Sequence, residues 1–417
     1  MAVNTGAVRR DGTFGVPPGG PERRYNGCLV IEPPASPFEL SAIAPYEGAE
    51  FHAGLRRLLA HPAVPAFARR CFPTLEFDAA RERICTLKDV DDFQAQFISK
   101  AVQELAGKSS SGWTLGGLER TSPGRRYLFI SNHRDILCDP AVFCTLLYLN
   151  GRRTVKICLG DNLLSQPLIT DLVKVNKGVT VKRTGSRREL FRASQVLSTY
   201  IHREIAEGVD SVWIAQREGR AKDGRDRTQT AILKMLALGG RASFVDALSA
   251  LTIVPLAVSY EYDPCDALKA RELYFTQTRG HYRKAPDEDF SSMGLGLTGF
   301  KGGIHFEIGR ELDRAVFEGA RALPSRAEQA DAIASEIDRQ IHANYRRWSS
   351  NYVAGDLLSG RDDRRAHYSE AKRDEFVRRL AQQLDALGLQ GEARASVRHL
   401  ILASYAEPVA TDLGSRS

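Results

Sequence analysis

Short apolar runs alternate with helical patterns through the middle of the chain. Six runs are typical of buried strands, at residues 127–131, 155–159, 178–182, 212–215, 251–260 and 303–308. Helical periodicity separates several of them, for example where Leu190, Leu197, Ile201 and Ile205 recur on one side. Strands that alternate with helices build parallel sheets. The sequence therefore predicts an α/β fold, with a single domain over residues 111–312 built on a mostly parallel sheet flanked by helices.

The two ends of the chain have different patterns from this middle part. Residues 1–45 are rich in glycine and proline and lack periodicity, which predicts a mobile tail. Residues 46–110 carry apolar positions at helical spacing that Pro62 and Pro65 interrupt, so we expect at least two helices. Residues 313–417 predict a C-terminal helical extension, with a capping box at Ser325 and Glu328.

Arginines lie beside the apolar positions of the 46–110 segment. Two interpretations fit this pattern. The segment either lies on anionic lipid as basic amphipathic helices, or packs on the main domain with its charges in water.

Composition narrows the class of protein. The chain has 417 residues, 43% of them hydrophobic, which supplies enough apolar surface for a core and excludes a disordered chain. Its net charge of +7 fits an anionic membrane, a phosphate-bearing substrate or nucleic acid. The sequence has no groove-reading motif or aromatic stacking module, so we expect no nucleic-acid partner.

Targeting signals and cysteines also bear on location. The sequence shows neither a signal peptide nor an apolar stretch of the roughly 20 residues that a spanning helix needs. The seven cysteines form no C-x-x-C pair and no zinc spacing, which indicates reduced thiols and no metal site. We expect a cytoplasmic protein that, where it meets a membrane, lies on the surface.

The segment 131–140 reads SNHRDILCDP and is the richest in candidate chemistry. A buried strand ends, His133 follows in the turn, and Asp139 precedes Pro140 as an expected helix N-cap. The carboxyl ends of parallel strands are where α/β folds place their sites. An imidazole there can act as a base while an aspartate orients it. Alternatively, Asp139 only caps a helix and His133 only fills a turn.

Four blocks of the sequence, in order, resemble motifs of the phospholipid/glycerol acyltransferases. This family includes glycerol-3-phosphate and 1-acylglycerol-3-phosphate acyltransferases. The first is Asn132-His133 with an aspartate downstream, and the second is the strand GVTVKR ending at Arg183. The third is WIAQREGR, which contains Glu218-Gly219, and the fourth is IVPLAV around Pro255. The resemblance covers residues 120–312.

Two departures from the family pattern leave alternatives open. The family places the aspartate one position earlier, where this chain has Cys138, so either Asp139 or Asp135 serves His133. The third block lacks the spacer that normally precedes its basic residue. The positive charge then comes from Arg220 or from Lys222.

The resemblance implies an O-acyltransferase of phospholipid biosynthesis in which His133 is the general base. The family transfers a fatty acyl group from acyl-CoA or acyl-carrier protein to a hydroxyl of glycerol 3-phosphate or a lysophospholipid. Arg183, Arg217, Glu218, Gly219 and Arg220 would then bind the acceptor, with Glu218 holding a hydroxyl or orienting an arginine. No metal or organic cofactor is expected. The partners would be the lipid acceptor, the acyl carrier and an anionic membrane surface, with the protein peripheral on the cytoplasmic face.

Other functions also fit these residues. The same site would suit a different acceptor, such as a lyso-ornithine lipid. A protein that kept the fold but lost activity would be a non-catalytic lipid-surface binder.

Residues 294–299 read GLGLTG and match the glycine spacing of a dinucleotide-binding loop. No strand clearly precedes them, and a predicted strand follows where a helix would be needed. We therefore interpret them as a flexible loop without nucleotide-binding function.

Overall fold

The computed structural model describes residues 24–25, 28–29, 35–72, 76–164, 166–240, 242–285 and 288–414. Two short strands, β1 (Arg24–Tyr25) and β2 (Cys28–Leu29), pair with each other. The other strands are β3 (Gly112–Gly116), β4 (Leu128–Ser131), β5 (Lys156–Gly160), β6 (Gly178–Val181), β7 (Val212–Ala215), β8 (Ile253–Tyr260) and β9 (Gly303–Ile308). These form one sheet in the order β3-β9-β8-β4-β7-β5-β6.

Most of the sheet is parallel, which confirms the predicted fold class. Strands β4 to β8 all run in the same direction. Strand β9 runs antiparallel to β8, and β3 pairs parallel with β9 at the edge. All six predicted strands are present within two residues of their expected ends.

Helices precede, surround and follow the sheet. Before it lie α1 (Pro37–Ile43), α2 (Gly48–Ala60), α3 (Ala63–Cys71), α4 (Phe77–Cys85), α5 (Val90–Phe93) and α6 (Ser99–Ser109). Between its strands lie α7 (Cys138–Leu149), α8 (Pro167–Lys174), α9 (Arg187–Glu207), α10 (Thr230–Leu236), α11 (Phe244–Ser249), α12 (Asp266–Arg279) and α13 (Glu288–Thr298). After it lie α14 (Arg314–Arg321), α15 (Arg326–Asn344), α16 (Ser349–Ser359), α17 (Glu370–Ala386) and α18 (Gly391–Gly414).

Side-chain alternation along β4 divides the core between the two faces of the sheet. Leu128 and Ile130 pack with α9 and α15, whereas Phe129 packs with α7 on the opposite face. Each of these three side chains is at most 3% exposed. A strand buried on both faces reads as a continuous apolar run, and this is why the sequence pattern located β4.

Several elements differ from expectation. The sequence analysis missed β3, because its GWTLG sequence is glycine-rich and partly exposed at the sheet edge. Residues 294–298 of the expected loop form the C-terminal end of α13, so the interpretation of this segment as a loop was wrong. This helix packs on α6 and buries Met293, which outweighs the low helix propensity of glycine.

The predicted helical extensions are present at both ends. The capping box of Ser325 and Glu328 starts α15 as expected. Within the predicted tail, residues 1–23, 26–27 and 30–34 lie outside the described part of the chain, and α1 follows them. None of the helices within the described ranges combines the length and apolar character needed to cross a bilayer.

Candidate active site

The turn after β4 carries the histidine that the sequence singled out. Strand β4 ends at Ser131 and α7 begins at Cys138, so His133 lies at the carboxyl edge of the parallel strands. The Nδ1 atom of His133 lies 2.7 Å from Oδ2 of Asp139. The Asp139 side chain is completely buried, whereas that of His133 is 14% exposed. A buried carboxylate therefore faces a ring that solvent still reaches.

Asp139 does not cap α7, and that prediction was wrong. Leu137 is the N-cap residue, and Asp139 lies inside the first turn of the helix. Its Oδ2 atom accepts hydrogen bonds from the backbone N–H groups of Arg134 at 2.7 Å and Asp135 at 3.0 Å. The helix begins two residues earlier than expected, and the turn before it folds back onto this carboxylate.

Asp135, the alternative partner, turns towards the helix instead. Its Oδ1 atom accepts from the backbone N–H groups of Leu137 at 3.0 Å and Cys138 at 2.8 Å, which satisfies amides at the start of α7. Burial, and then the charge of Asp139, raise the pKa of the Asp135 carboxyl. Of the two aspartates, Asp139 is the one that contacts His133.

Buried partners anchor both neighbours of His133. The side chain of Asn132 accepts from the backbone N–H of Val258 at 2.7 Å and donates to its carbonyl at 2.9 Å. Asn132 also donates to Asp226 at 2.9 Å, and Asp226 forms an ion pair with Arg134. The backbone that carries the imidazole is therefore tied to β8 and to the loop after β7.

Three further residues surround the histidine and its aspartate. The hydroxyl of Tyr260 donates to Oδ1 of Asp139 at 2.8 Å. The Trp213 ring lies edge-on to the His133 ring, with 5.6 Å between centroids, and the backbone N–H of Ala221 donates to the His133 carbonyl at 3.3 Å. Nε2 of His133 has no hydrogen-bond partner within the described ranges.

Sequence reasoning missed two of these contributors. Tyr260 was visible as the last residue of the predicted strand 251–260, where an aromatic ring with a polar tip ends an apolar run. Nothing in the sequence pattern marked Asp226, because it lies in an irregular loop.

Arg183 and Glu218 come together at the same edge of the sheet. They follow β6 and β7, and NH1 of Arg183 lies 3.7 Å from Oε1 of Glu218. A Cβ atom on Gly160 would lie 2.3 Å from Nε of Arg183, so the guanidinium packs there only because residue 160 lacks a side chain. Gly219 has a φ of +69°, a left-handed conformation that glycine adopts without strain.

Arg217 and Arg220 each carry a buried N–H donor on the side chain. Nε of Arg217 and NH1 of Arg220 have no hydrogen-bond partner within the described part of the chain. Burial alone would lower the pKa of the Arg220 guanidinium, but the neighbouring Cys265 and the carboxylates of Asp135 and Asp263 raise it overall. Arg220 therefore faces the Asp135 side of the site and stays charged.

The basic residues of this edge have different partners. Arg183 pairs with Glu218, whereas Asp135 and Asp263 act on Arg220. Lys222, the alternative source of positive charge, pairs with Glu272 of α12 at 2.5 Å. The structure therefore leaves Arg220 with a free donor and engages Lys222 elsewhere.

The surface of the protein also carries two pockets. One of about 70 Å³ is lined by residues 224–227 together with His342 and Tyr345, and another of about 410 Å³ lies between α2 and α4. Neither is lined by His133 or Arg183. Within the described residues, no group of three or more His, Cys, Asp or Glu side chains is placed to hold a metal ion.

No curated protein matches the sequence. Among solved structures, the chain is similar to the 1-acyl-sn-glycerophosphate (LPA) acyltransferase PlsC from Thermotoga maritima. That match has 15% identity and a TM-score of 0.39, and it covers 72% of this chain and 96% of the other. A likeness at that TM-score carries no argument about function.

The pattern of one protein family matches the part of the chain that holds the site. The family described as Acyltransferase matches residues 113–259, from the edge strand β3 almost to the end of β8. The matched range contains His133, both candidate aspartates and all the candidate arginines. This part of the chain therefore matches the acyltransferase family that the order of its four motifs indicated.

Proposed function

We propose that this acyltransferase moves a fatty acyl group from an acyl thioester to a hydroxyl of glycerol 3-phosphate or a lysophospholipid. The observation that carries the proposal is the 2.7 Å contact between Nδ1 of His133 and the buried Asp139 carboxylate. That contact favours the tautomer with the proton on Nδ1. Nε2, which has no described partner, then has a lone pair available for an acceptor hydroxyl.

The chemistry requires such a base because an alcohol is a poor nucleophile near neutral pH. As the acceptor oxygen attacks the thioester carbon, its proton passes to Nε2 of His133. The Asp139 carboxylate stabilises the imidazolium that forms. The carbon–sulfur bond then breaks, and the leaving thiolate takes up the proton from the imidazolium. General base catalysis of this kind supplies roughly 10²- to 10⁴-fold in rate.

The acceptor phosphate would bind among the basic residues at the same edge. The free donor of Arg220 and that of Arg217 favour an anionic ligand, because a buried unpaired guanidinium N–H is costly. Glu218 and the left-handed turn at Gly219 lie between these two arginines in the chain. Glu218, paired with Arg183, would hold the glycerol hydroxyls. The net charge of +7 also suits an anionic membrane and either coenzyme A or acyl-carrier protein as the acyl carrier.

The test is acyl transfer by purified protein with labelled acyl-CoA and acyl-carrier protein as donors. The acceptors are glycerol 3-phosphate, a panel of lysophospholipids and a lyso-ornithine lipid. We expect His133→Ala to lower transfer at least 10³-fold, because the loss combines the base and its orientation. His281→Ala, at an exposed histidine between α12 and α13, is the matched control and should transfer at the wild-type rate.

Two outcomes would contradict the proposal. Transfer only to the lyso-ornithine lipid would replace the glycerolipid acceptor. The absence of any His133-dependent product, with vesicle binding kept by His133→Ala, would indicate a lipid-surface binding protein without this activity.

A further inference from the structure

The Asp139 carboxylate receives hydrogen bonds on both of its oxygens. Oδ2 faces Nδ1 of His133 and accepts from the backbone N–H groups of Arg134 and Asp135. Oδ1 accepts from the hydroxyl of Tyr260 at 2.8 Å. The first three donors belong to the same turn as the histidine, whereas Tyr260 comes from β8, a separate strand of the sheet.

Tyr260 is placed to keep this bond. The residue is 4% exposed, its ring packs in the core between the sheet and α7, and it ends β8 beside β4. Burial, and then the charge of Asp139, raise the pKa of the Tyr260 hydroxyl well above its ordinary value. The hydroxyl therefore stays protonated and donates to the carboxylate throughout the working pH range.

We propose that Tyr260 is a positioning residue, whose hydroxyl holds the Asp139 carboxylate in the orientation that faces the His133 ring. This inference rests on the proposed function, since it concerns the same base. Tyr260 does not reach substrate, because its hydroxyl is occupied by a buried carboxylate. It acts on the reaction through Asp139 and His133.

The Tyr260 hydroxyl affects where the negative charge of Asp139 resides. A hydrogen bond to a carboxylate disperses its charge, and a buried oxygen that loses its donor becomes costly. Without the Tyr260 hydroxyl, Oδ1 would have no hydrogen-bond donor. The carboxylate would then either rotate or interact more strongly, through its negative charge, with the imidazole. Rotation of the carboxylate would misplace the His133 ring. A stronger interaction would stabilise the protonated form of the imidazole.

Charged and titratable groups from several elements surround this carboxylate. The turn contributes Arg134 and Asp135, α7 contributes Cys138, and β8 contributes Tyr260. Arg220 acts on Asp135 from the loop after β7, and Lys301 acts on Cys138 from the loop between α13 and β9. Replacing the Tyr260 hydroxyl changes none of these charges, so a change in pH dependence would report the lost hydrogen bond.

Tyr260→Phe tests the inference, with Tyr127→Phe as the matched control. Tyr127 is a buried tyrosine in the same core cluster, but its hydroxyl accepts from the backbone N–H of Ser122, away from His133. For Tyr260→Phe we expect kcat to fall about tenfold with KM within about twofold. The acid limb of the kcat/KM profile should move upward by about half a pH unit. The NMR resonance of the proton on His133 Nδ1 should also shift, whereas Tyr127→Phe should change none of these.

The outcomes separate this inference from the proposed function. If His133→Ala keeps full acyl transfer, the base assignment fails whatever Tyr260 does. If His133→Ala is inactive but Tyr260→Phe keeps the wild-type pH profile and Nδ1 proton resonance, the Tyr260 inference alone is wrong. A fall in kcat that Tyr127→Phe matches, with the pH profile unmoved in both, would mean general destabilisation and would also overturn it.

Discussion

Asp139 shows how one extra residue between a histidine and the carboxylate that contacts it is accommodated. The family pattern has four residues after the histidine, and this chain has five, with Cys138 at the usual aspartate position. Two consecutive backbone N–H groups, those of Arg134 and Asp135, wrap around the Asp139 carboxylate. The displaced Cys138 donates through Sγ to the carbonyl of Gly296 at 3.3 Å. The turn therefore absorbs the extra residue and keeps the carboxylate against the imidazole.

Substitution of the two aspartates by asparagine distinguishes their roles. In Asp139→Asn the amide would stabilise the wrong imidazole tautomer, so we expect kcat to fall about 10³- to 10⁴-fold. In Asp135→Asn the Oδ1 acceptor for Leu137 and Cys138 is kept, so kcat should stay within about tenfold. Steady-state acyl-transfer kinetics on folded protein measure both. A larger loss in Asp135→Asn would make Asp135 the functional partner of His133.

At the scale of elements, α13 shows how packing overrides a local sequence pattern. Glycines at 294, 296 and 299 suggested a loop, yet 294 and 296 lie within the helix. Gly294 is exposed and has open space around its Cα, whereas Gly296 is buried against Asp135. A Cβ on residue 296 would lie 2.0 Å from Oδ2 of Asp135. The missing side chain at 296 is therefore what lets α13 cover the start of α7.

The two glycines predict opposite effects of the same substitution. Gly296→Ala should lower the free energy of unfolding by about 1–3 kcal/mol, because Asp135 cannot move without losing its bonds to the start of α7. Gly294→Ala should raise it by up to about 1 kcal/mol through helix propensity. Chemical denaturation of both variants measures the difference. Equal stabilisation of the two would show that α13 does not pack on Asp135.

At the scale of the whole molecule, buried polar contacts join the C-terminal helices to the sheet domain. Asp266, at the start of α12, accepts from the hydroxyl of Tyr405 on α18 at 2.9 Å and lies 3.6 Å from Arg379 on α17. The same Tyr405 hydroxyl accepts from the backbone N–H of Asp263 at 2.8 Å. The C-terminal extension therefore shares a core with α12.

This junction predicts a pH-dependent contribution to folding. Burial raises the pKa of Asp266 from 3.8 to about 6, despite the opposing charge of Arg379. Between these values the folded chain holds a proton that the unfolded chain has released, so Asp266 lowers stability progressively as pH rises from about 4 to 6. This loss of folding stability is absent below about pH 4 and complete above about pH 6. It amounts to up to about 3 kcal/mol, at about 1.4 kcal/mol per pKa unit.

Asp266→Asn should remove this dependence. The free energy of unfolding of the variant, relative to wild type, should increase between pH 4 and pH 6.5. Urea denaturation of both proteins across this pH range measures the difference in free energy of unfolding. Groups that titrate alike in both proteins do not contribute to this difference. A difference that is flat with pH would mean that Asp266 is ionised throughout in the folded protein.

The sequence by itself determined the class of fold, six strands of the sheet and the similarity of its central part to the acyltransferase family. It could do so because strands buried on both faces need continuous apolar runs, and because catalytic groups follow such strands at the sheet edge. His133, Arg183 and Glu218 could be located on that basis. Their roles in acyl transfer are still predictions.

Only the tertiary structure decided which aspartate contacts the imidazole and which groups hold that aspartate. Asp135 and Asp139 are both close to His133 along the chain, and their directions depend on where α7 begins. Tyr260 and Asp226 lie 127 and 93 positions beyond His133, and their side chains reach the turn only because β8 and the loop after β7 pack beside β4. Apolar periodicity records which faces are buried. It carries no information about which polar groups from distant segments meet, because those contacts depend on the packed arrangement of the strands.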